Sequence, residues 1–526
     1  MADAAALRER HVVVVGAGVG GLVCALLLAH RGVRVTLLEA AEGPGGKLRQ
    51  IVVGGVPIDS GPTVFTMRWV FEQIFDRVGC SLDAHLPLRP LKVLARHAWR
   101  AGGRLDLFAD IDASADAIGQ FSSPAEARRY LGFCQQARAV YRCLEGPYIR
   151  SSRPSLFGMA AELGAGGLAT LGALGPFATL WQSLARHFHD PRLRQLFGRY
   201  ATYCGASPWS APATLMLVAH VEQAGVWAVD GGMHALARRL AEQAQRRGAS
   251  LRYSTACVRI LVRGGRACGV ELASGEEIAA DAVVFNGDTS ALAQGLLGAD
   301  AQAAVSAQRG APRSLSALTW SVKARTGGFP LLRHNVFFDD DYASEFDDIF
   351  RHRRLPRRGT VYVCAQDRAD DGADPGQPER LFCLVNAPAD GDTRPLASTE
   401  IQACEEQSLR LLGNCGMALD LSSAQLVRTT PSDFNRMFPG TGGALYGPAS
   451  HGWMAPFRRP GSASRLPGLY MAGGSVHPGP GVPMAALSGQ LAAETLMAHL
   501  VSTKRSGRVR ISGGMSTPSA TMAGTR

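Results

Sequence analysis

The chain has 526 residues, 46% hydrophobic and 19% charged, which is typical of a globular protein and argues against a disordered or collagen-like one. Its eleven cysteines include no C-x-x-C pair, so neither a zinc ribbon nor a disulfide framework is expected, and the thiols favour a reducing cytoplasm. The net charge of +11 favours binding to the anionic face of a membrane. A nucleic acid partner is not expected, because the basic residues are dispersed and form no recognition motif.

The N-terminal residues predict a β-α-β unit. An apolar, β-branched run at Val12–Val15 predicts a strand, Leu22–His30 predicts a helix that ends at Gly32, and Val33–Leu38 predicts a second strand. The uncharged stretch 12–29 is long enough for a signal sequence or a spanning helix, but its glycines would weaken such a helix at its centre.

A G-x-G-x-x-G motif formed by Gly16, Gly18 and Gly21 lies between this strand and helix, which is the context of a dinucleotide-binding turn. Gly16 permits the tight turn, Gly18 admits a pyrophosphate close to the backbone, and Gly21 permits close packing of helix on strand. Glu39 ends the second predicted strand, where its carboxylate can accept ribose hydroxyl hydrogen bonds and would repel a 2′-phosphate. NAD and FAD both satisfy this motif, and NADP does not.

A second glycine loop follows at once, formed by Gly45, Gly46 and Lys47. Its backbone and its cation can reach a diphosphate from the side opposite to the first turn. Because a nicotinamide-binding domain has no obvious use for this loop, the cofactor predicted from the residues is FAD.

The middle of the chain predicts a return to the first domain. Two glycines at 231–232 precede a predicted helix, Met233–Arg247, and a predicted strand, Leu251–Val262. Further strands are predicted at Ala267–Leu272 and Ala282–Phe285.

A second return is predicted near the C-terminus, where an apolar run at 468–471 leads through a Gly/Pro-rich loop to a helix at Ala485–Leu500. Between the returns, Leu163–Ala185 is uncharged and predicts helices that either lie in a membrane interface or surround a substrate tunnel. Residues 319–446 predict a sheet.

With these motifs, the chain resembles the bacterial phytoene desaturase family of FAD enzymes over nearly its whole length. Beyond the two glycine loops and Glu39, the likeness is carried by segments 59–63, 231–233 and 477–483. Within that family, segments 61–69 and 472–478 are most similar to those of the 1-hydroxycarotenoid 3,4-desaturases of phototrophic bacteria, the hydroxyneurosporene type.

The resemblance implies an α/β fold: a Rossmann-like FAD-binding domain of the glutathione-reductase type, an inserted mixed-sheet substrate domain and a helical apolar segment. The FAD-binding domain is predicted to comprise 1–95, 228–300 and 456–503, with a helical segment facing substrate and membrane at 96–227, the substrate-domain sheet at 301–455 and a disordered tail at 504–526.

The resemblance also implies how FAD is bound. The first turn and Glu39 would hold the ADP half, and the second glycine loop would contact the phosphate and ribityl region. Further predicted contacts are Val258, through its backbone, at the adenine, and Gly61, Thr63, Gly474, Gly481, Val482 and Pro483 around the flavin. Many FAD enzymes carry an Asp after the glycine of the last strand, but this chain has Ser475 after Gly474, so backbone amides or Ser475 would have to replace that contact.

The implied reaction is desaturation of a carotenoid, with a hydride leaving for the flavin and a proton leaving the next carbon. A polyene disperses developing positive charge, so no strong base is required. If a proton acceptor exists, Asp59 is the first candidate and His477 the second, although a turn or loop role competes for both. The partners expected are a carotenoid, a membrane surface bound peripherally from the cytoplasm, and a quinone or oxygen as electron acceptor.

No metal site is predicted. The run His187–Asp190 lacks further ligands at suitable spacing, and the acidic stretch 339–348 lacks the glycine and terminal Glu of a calcium loop.

Other functions stay open at this point. Phytoene desaturase and carotenoid isomerase share the motifs. A flavin amine oxidase would be expected to carry a lysine-bridged water and an aromatic pair that the sequence does not reveal. A non-catalytic escort protein on the same fold would have no need of intact glycine loops.

Overall fold

The structure, a computed structural model, describes residues 7–507 apart from 153, 176, 307–311, 370, 371, 373 and 374. Its strands are β1 His11–Val15, β2 Arg34–Leu38, β3 Gln50–Val53, β4 Val56–Asp59, β5 Leu88–Pro90, β6 Val93–Trp99, β7 Arg104–Phe108, β8 Trp227–Val229, β9 Ser250–Arg252, β10 Cys257–Arg263, β11 Arg266–Leu272, β12 Glu277–Ala279, β13 Ala282–Phe285, β14 Ser316–Gly327, β15 His334–Phe338, β16 Val361–Ala365, β17 Glu379–Ala387, β18 Ala418–Thr429 and β19 Leu469–Met471.

Its α-helices are α1 Val19–His30, α2 Arg68–Arg77, α3 Leu82–His85, α4 Ile111–Phe121, α5 Pro124–Leu144, α6 Leu156–Gly172, α7 Leu180–His187, α8 Pro191–Gly198, α9 Leu217–Gln223, α10 His234–Arg246, α11 Thr289–Ala293, α12 Tyr342–Phe346, α13 Ser398–Asn414, α14 Pro431–Met437 and α15 Val482–Gly507. The predicted disordered tail begins inside α15, and residues 508–526 lie outside the described part of the chain.

A parallel sheet forms the first layer of the molecule, in the order β19-β13-β1-β2-β9. Its strands come from three separate stretches of the chain, as the predicted returns to the first domain require. The side chains of Val12, Val13 and Val14 are fully buried because the sheet is covered on both faces. Helices α1, α10 and α15 contribute to the core on one face. The carboxyl ends of β13, β1 and β2 therefore lie side by side, where open α/β sheets bind ligands.

The predicted single strand at 251–262 is wrong, because the chain forms two strands there. Strand β9 ends the parallel sheet, whereas β10 belongs to an antiparallel sheet of order β10-β11-β12. Between them Ser254 has a φ of 50°, and the backbone N–H groups of Ser254 and Thr255 donate to Ala41 and Glu39. These bonds hold the segment between β9 and β10 against the end of β2. Residues 255–257 therefore lie beside the dinucleotide turn.

A second, seven-stranded sheet has the order β18-β14-β17-β16-β15-β6-β7. It is mixed, as predicted, because β15 pairs with β6 in parallel while the other neighbours are antiparallel. Strands β6 and β7 come from before residue 109, so the predicted boundary at residue 95 falls inside β6. The segment predicted to be helical thus also contributes to this sheet.

Helices α4 to α9 pack beside the seven-stranded sheet around fully buried aromatic side chains, among them Phe133, Phe188 and Phe197. Helix α6 is the exception, because most of its side chains are exposed or half-buried. Phe157 at its start is 88% exposed, and the backbone is non-helical at Gly164. Within the described residues, none of the helices combines the length and the apolar character needed to cross a membrane.

Candidate active site

The described residues enclose a cavity of about 1120 Å³ that connects the two layers of the molecule. Part of its wall is formed by the carboxyl ends of β1, β2 and β13 together with both glycine loops, and part by helices and the seven-stranded sheet. Small-molecule sites are commonly about 300–1,000 Å³. This cavity therefore exceeds the usual range for a single small-molecule site.

The first glycine turn forms one end of this cavity. Gly16 has a φ of 101°, which favours glycine, and a Cβ at Gly18 would lie 2.8 Å from Nδ2 of Asn286. The backbone N–H groups at the start of α1 have no intrahelical partner and carry the positive end of the helix dipole. Gly21 does not line the cavity, and it instead lets α1 pack against Gly16. The turn thus forms a cradle without side chains that fits a diphosphate.

The second glycine loop lies directly against the first. The N–H of Gly45 donates to the carbonyl of Ala17 at 2.8 Å, and Gly18 pairs with Gly45 in a parallel bridge. Lys47 is enclosed by the protein, where its Nζ donates to the carbonyl of Leu445 at 2.7 Å and burial lowers its pKa. A cation beside an anion-binding turn complements a diphosphate.

Glu39 lies on the cavity wall at the end of β2, where the sequence analysis expects it. Its Oε2 accepts the backbone N–H of Ala17 at 2.6 Å, and its Oε1 accepts that of Ala41 at 2.9 Å. A carboxylate has about four acceptor positions, so both oxygens keep capacity for ribose hydroxyls.

Val258, predicted to meet the adenine, is not among the residues that line the cavity. Its side chain is 43% exposed on β10. Thr255, Ala256 and Cys257 line the cavity instead, because the crossing between β9 and β10 is bonded to the end of β2.

The C-terminal loop and the start of α15 close the cradle, and Gly474, Gly481, Val482 and Pro483, which are predicted to contact the flavin, all line it. Ser475 also lines the cavity, and its hydroxyl accepts the N–H of Thr289. Arg459 is the residue here that the sequence analysis missed. It is buried and donates to the carbonyl groups of Gly474, Tyr446 and Pro448, each at 3.0 Å. It belongs to no motif, so only the tertiary structure reveals it.

Asn286 is a second residue that was not predicted from the sequence. It lies between the glycines of the N-terminal turn and those of the C-terminal loop. Its Nδ2 donates to the carbonyl of Gly16 at 3.2 Å, and Cβ atoms at Gly20 or Gly473 would lie within about 3 Å of its Oδ1. Asn286 follows the predicted strand β13, so the rule that ligands bind at the carboxyl ends of parallel strands could have found it.

Gly61 and Thr63 line the cavity between its two parts. Thr63 shares a hydrogen bond with the hydroxyl of Tyr362 at 2.6 Å, and Nδ1 of His334 lies 2.7 Å from the same hydroxyl. Burial raises the pKa of Tyr362 well above its usual value and lowers the pKa of His334 to about 3. Both side chains are therefore neutral at physiological pH and act as a hydrogen-bonded support for Thr63.

Asp59, the first candidate proton acceptor, does not line the cavity. Its carboxylate accepts the backbone N–H of Met233 at 2.5 Å and an amide N–H of Gln50 at 3.0 Å. Met233 is the first residue before α10, so Asp59 caps this helix and joins β4 to it. A Cβ at Gly232 would lie 2.3 Å from Asp59, which explains the glycine at that position.

His477, the second candidate, is also placed away from the cavity wall. Its side chain is 2% exposed, and its ring meets the edge of Tyr148 with centroids 4.9 Å apart. Its backbone N–H donates to the carbonyl of Pro460, and burial lowers the pKa of the imidazole to about 4. These contacts favour the loop interpretation over a catalytic one.

The polar residues at 187–190, which were considered as metal ligands from the sequence, make contacts within the protein instead. Asp190 caps α8 and pairs with Arg192 at 2.7 Å, and the ring of His187 packs against Phe133. Among the described residues, no three His, Cys, Asp or Glu side chains lie close enough together to hold a metal ion.

The remainder of the cavity wall is mostly apolar. Helix α6 contributes Met159, Leu163 and Leu171, and the seven-stranded sheet contributes Phe382 and Leu384. Such a wall can bind a long hydrocarbon and exclude water from it.

Three charged residues that were not singled out from the sequence, Arg199, Glu222 and Glu345, interrupt this wall. The carboxylate of Glu345 accepts hydrogen bonds from Thr360 and Asn386. Arg199 and Glu222 belong to no recognisable motif. They are brought together by the short 3₁₀ helix Arg199–Cys204 and by α9.

The sequence model of flavin-containing amine oxidoreductases matches residues 19–497. The chain belongs to the flavin-containing amine oxidoreductase family. It is 66% identical to hydroxyneurosporene desaturase of Rubrivivax gelatinosus over 98% of its own length and 99% of that protein. It is 46% identical to hydroxyneurosporene desaturase of Cereibacter sphaeroides over 94% of its length and 99% of that protein. The predicted resemblance to the hydroxyneurosporene type of desaturase is confirmed.

A solved structure supports the fold independently. Wild-type putrescine oxidase bound to putrescine superposes with a TM-score of 0.58 at 14% sequence identity, over 93% of this chain and 99% of that one. The fold is therefore the α/β fold of flavin amine oxidases with mixed sheets, and FAD is the cofactor that the family uses.

Proposed function

We propose that this protein is an FAD-dependent carotenoid desaturase that forms a 3,4 double bond in a 1-hydroxycarotenoid of the hydroxyneurosporene type. The observation that carries the proposal is 66% identity to a hydroxyneurosporene desaturase over 98% of the chain. The cavity supports it, since one continuous space joins a dinucleotide cradle to an apolar wall.

The bound flavin supplies the electron sink that takes a hydride from the substrate. The residues of the chain position the two partners. Backbone N–H groups at the start of α1 and the Lys47 cation would hold the diphosphate, and Glu39 would hold the ribose. The apolar wall aligns the polyene and keeps water from the reacting carbons.

The proton lost from the neighbouring carbon has to reach an acceptor, and solvent water at the edge of the cavity is sufficient. No side chain of the cavity has to be a strong base, because the conjugated polyene disperses positive charge as the hydride leaves. Asp59 and His477 are not proposed as proton acceptors, since one caps α10 and the other packs against Tyr148.

We also assign the dinucleotide-binding part to the glutathione-reductase type. The assignment is supported by a five-stranded parallel sheet and an antiparallel three-stranded sheet that share the core formed by Val13, Ile260 and Phe285.

The protein is proposed to act at the cytoplasmic face of a membrane without crossing it. The side chains of Phe157 and Phe177 are 88% and 73% exposed. The ring of Phe177 contacts that of Trp453, which is 43% exposed. Because α6 and Trp453 also line the cavity, this apolar surface lies where a carotenoid could enter from lipid. The net charge of +11 favours an anionic bilayer, and the free state of all eleven cysteines supports a reducing compartment.

Reduced flavin must pass its electrons on, and we propose a quinone or oxygen as acceptor. Both dissolve in the bilayer from which the carotenoid enters.

The substrate is tested by supplying the purified holoenzyme, without oxygen, with carotenoids in liposomes. Hydroxyneurosporene should bleach the flavin and yield a product whose absorption is shifted to the red by one conjugated double bond, whereas phytoene should do neither. The opposite pattern would identify a phytoene desaturase. A geometric change without flavin bleaching would identify an isomerase, and a purified protein without flavin would favour an escort function.

A further inference from the structure

We propose that Arg199 and Glu222 form a subsite for the hydroxyl group of the substrate, in which Arg199 donates to the oxygen and Glu222 accepts its hydrogen. The inference rests on the proposed function, because it assigns the polar end of the same substrate. It concerns side chains that the cofactor cradle does not use.

The surroundings of this pair make its charges unusual. Leu217, Val218 and Val221 line the same cavity, as do Tyr203 and Tyr362, which contact the pair. Charged side chains are rarely placed in an apolar wall unless each is paired or hydrogen-bonded. A purely hydrocarbon ligand would leave both groups without a new partner, whereas a hydroxyl can serve both.

Arg199 has donors to spare. Among the described residues it makes no ion pair with a carboxylate, and its one side-chain hydrogen bond goes from Nη1 to the hydroxyl of Tyr203 at 3.3 Å. Its guanidinium carbon lies 5.4 Å from the ring centre of Tyr203 and 5.3 Å from that of Tyr362. A guanidinium carries five N–H donors, so several remain for a ligand in the cavity.

Glu222 has acceptor capacity to spare. Its Oε2 accepts the hydroxyl of Tyr200 at 2.8 Å and its Oε1 accepts that of Tyr203 at 2.9 Å. A carboxylate offers about four acceptor positions, so roughly half remain open. Burial raises the pKa of Glu222, and the two tyrosine hydrogen bonds and Arg199 oppose that shift.

The position of the pair suits 3,4-desaturation. In a 1-hydroxycarotenoid the carbon that bears oxygen is next but one to C3, so its hydroxyl must lie close to the flavin when C3 and C4 react. Arg199 lies over the ring of Tyr362, whose hydroxyl bonds Thr63 in the segment expected beside the flavin. The apolar wall then extends toward α6 for the polyene.

The test compares Arg199→Met and Glu222→Gln with the wild-type holoenzyme, using hydroxyneurosporene and neurosporene, which lacks the hydroxyl. The matched control is Arg192→Gln, an arginine on neighbouring α8 that pairs with Asp190 and does not line the cavity. Flavin content reports folding for each variant. The measurements are kcat/KM in liposomes and the dissociation constant of each carotenoid from tryptophan fluorescence quenching.

Loss of a charge-assisted hydrogen bond should lower kcat/KM for hydroxyneurosporene roughly 10- to 100-fold in Arg199→Met and about 10-fold in Glu222→Gln. Binding of neurosporene should be unchanged in both variants, and the control should match wild type. If Arg199→Met loses its flavin, Glu222→Gln carries the test.

If the variants weaken the binding of both carotenoids equally, or weaken the binding of neither, the proposed subsite is wrong. The proposed function fails separately, when the wild-type enzyme does not desaturate hydroxyneurosporene. The binding measurement still tests the subsite in that case.

Discussion

The turn that begins the cofactor cradle leaves no room for a side chain at Gly21. A Cβ there would lie 2.1 Å from the carbonyl oxygen of Gly16, a backbone atom that cannot move without opening the turn. Gly21→Ala should therefore destabilise the protein by about 1–3 kcal/mol, as overpacking does in a tight core, and lower its flavin content. The check is the ratio of flavin to protein absorbance together with the urea midpoint of unfolding.

Gly43→Ala provides the matched control for this prediction. Gly43 lies before the second glycine loop, and nothing lies within 4 Å of the position of its Cβ. This variant should keep full flavin content. Retention of flavin and stability by Gly21→Ala as well would contradict the close packing of α1 on the turn.

Residues of the site differ in how far the sequence could predict them. The glycines and Glu39 were predictable because their spacing reflects backbone geometry at one strand end. Arg199, Glu222 and Arg459 were not, since they belong to no motif and their contacts depend on how separate elements of the fold pack together. Asp59 and His477 were considered for their chemistry, but hydrogen bonds and packing that no sequence pattern reports give them other roles.

Among the elements of the fold, α6 together with Phe177, which follows it, should govern how strongly the protein binds lipid. Burial of one phenylalanine side chain is worth about 1.5–3 kcal/mol. Replacing Phe157 and Phe177, which are 88% and 73% exposed, by serine should weaken vesicle binding at least roughly 10-fold. Binding is measured by flotation with anionic liposomes.

Val52→Ser tests whether any exposed apolar side chain has this effect. Val52 is 68% exposed on β3 and does not line the cavity. Vesicle binding should be unchanged in this control. If the double serine variant floats as well as wild type, the surface formed by Phe157 and Phe177 does not contact the membrane.

Strands and helices were predictable where one local pattern decides them, as in the N-terminal β-α-β unit. The break between β9 and β10 shows where prediction from a local sequence pattern fails. The run at 251–262 has the composition of one strand, but bonds from Ser254 and Thr255 to the loop after β2 turn the chain. Such bonds depend on a partner more than two hundred residues away, so no local window contains them.

For the molecule as a whole, three buried neutral histidines should lower the free energy of unfolding at mildly acidic pH. Burial lowers the pKa of His97 and His334 to about 3 and that of His477 to about 4. Below the unfolded value of about 6.5, the unfolded chain binds protons that the folded protein does not. The free energy of unfolding should therefore decrease as pH falls from about 6.5 toward 4, by up to about 1.4 kcal/mol per pH unit for each histidine.

Urea unfolding at a series of pH values checks this dependence. His97→Asn should reduce the slope, because the unfolded chain then gains one proton fewer. His352→Asn, at an exposed position, is the control and should keep the wild-type slope. An unchanged slope in His97→Asn would show that this histidine is not buried in the neutral form.

If one cavity brings a polyene against FAD, the hydrogen lost by the carotenoid reduces the flavin. A single anaerobic turnover with excess hydroxyneurosporene measures this coupling, because reduced flavin and product are counted together. We expect one product molecule, two hydrogens lighter by mass spectrometry, for each flavin reduced. Product formed while the flavin stays oxidised, or flavin reduced without a lighter carotenoid, would contradict it.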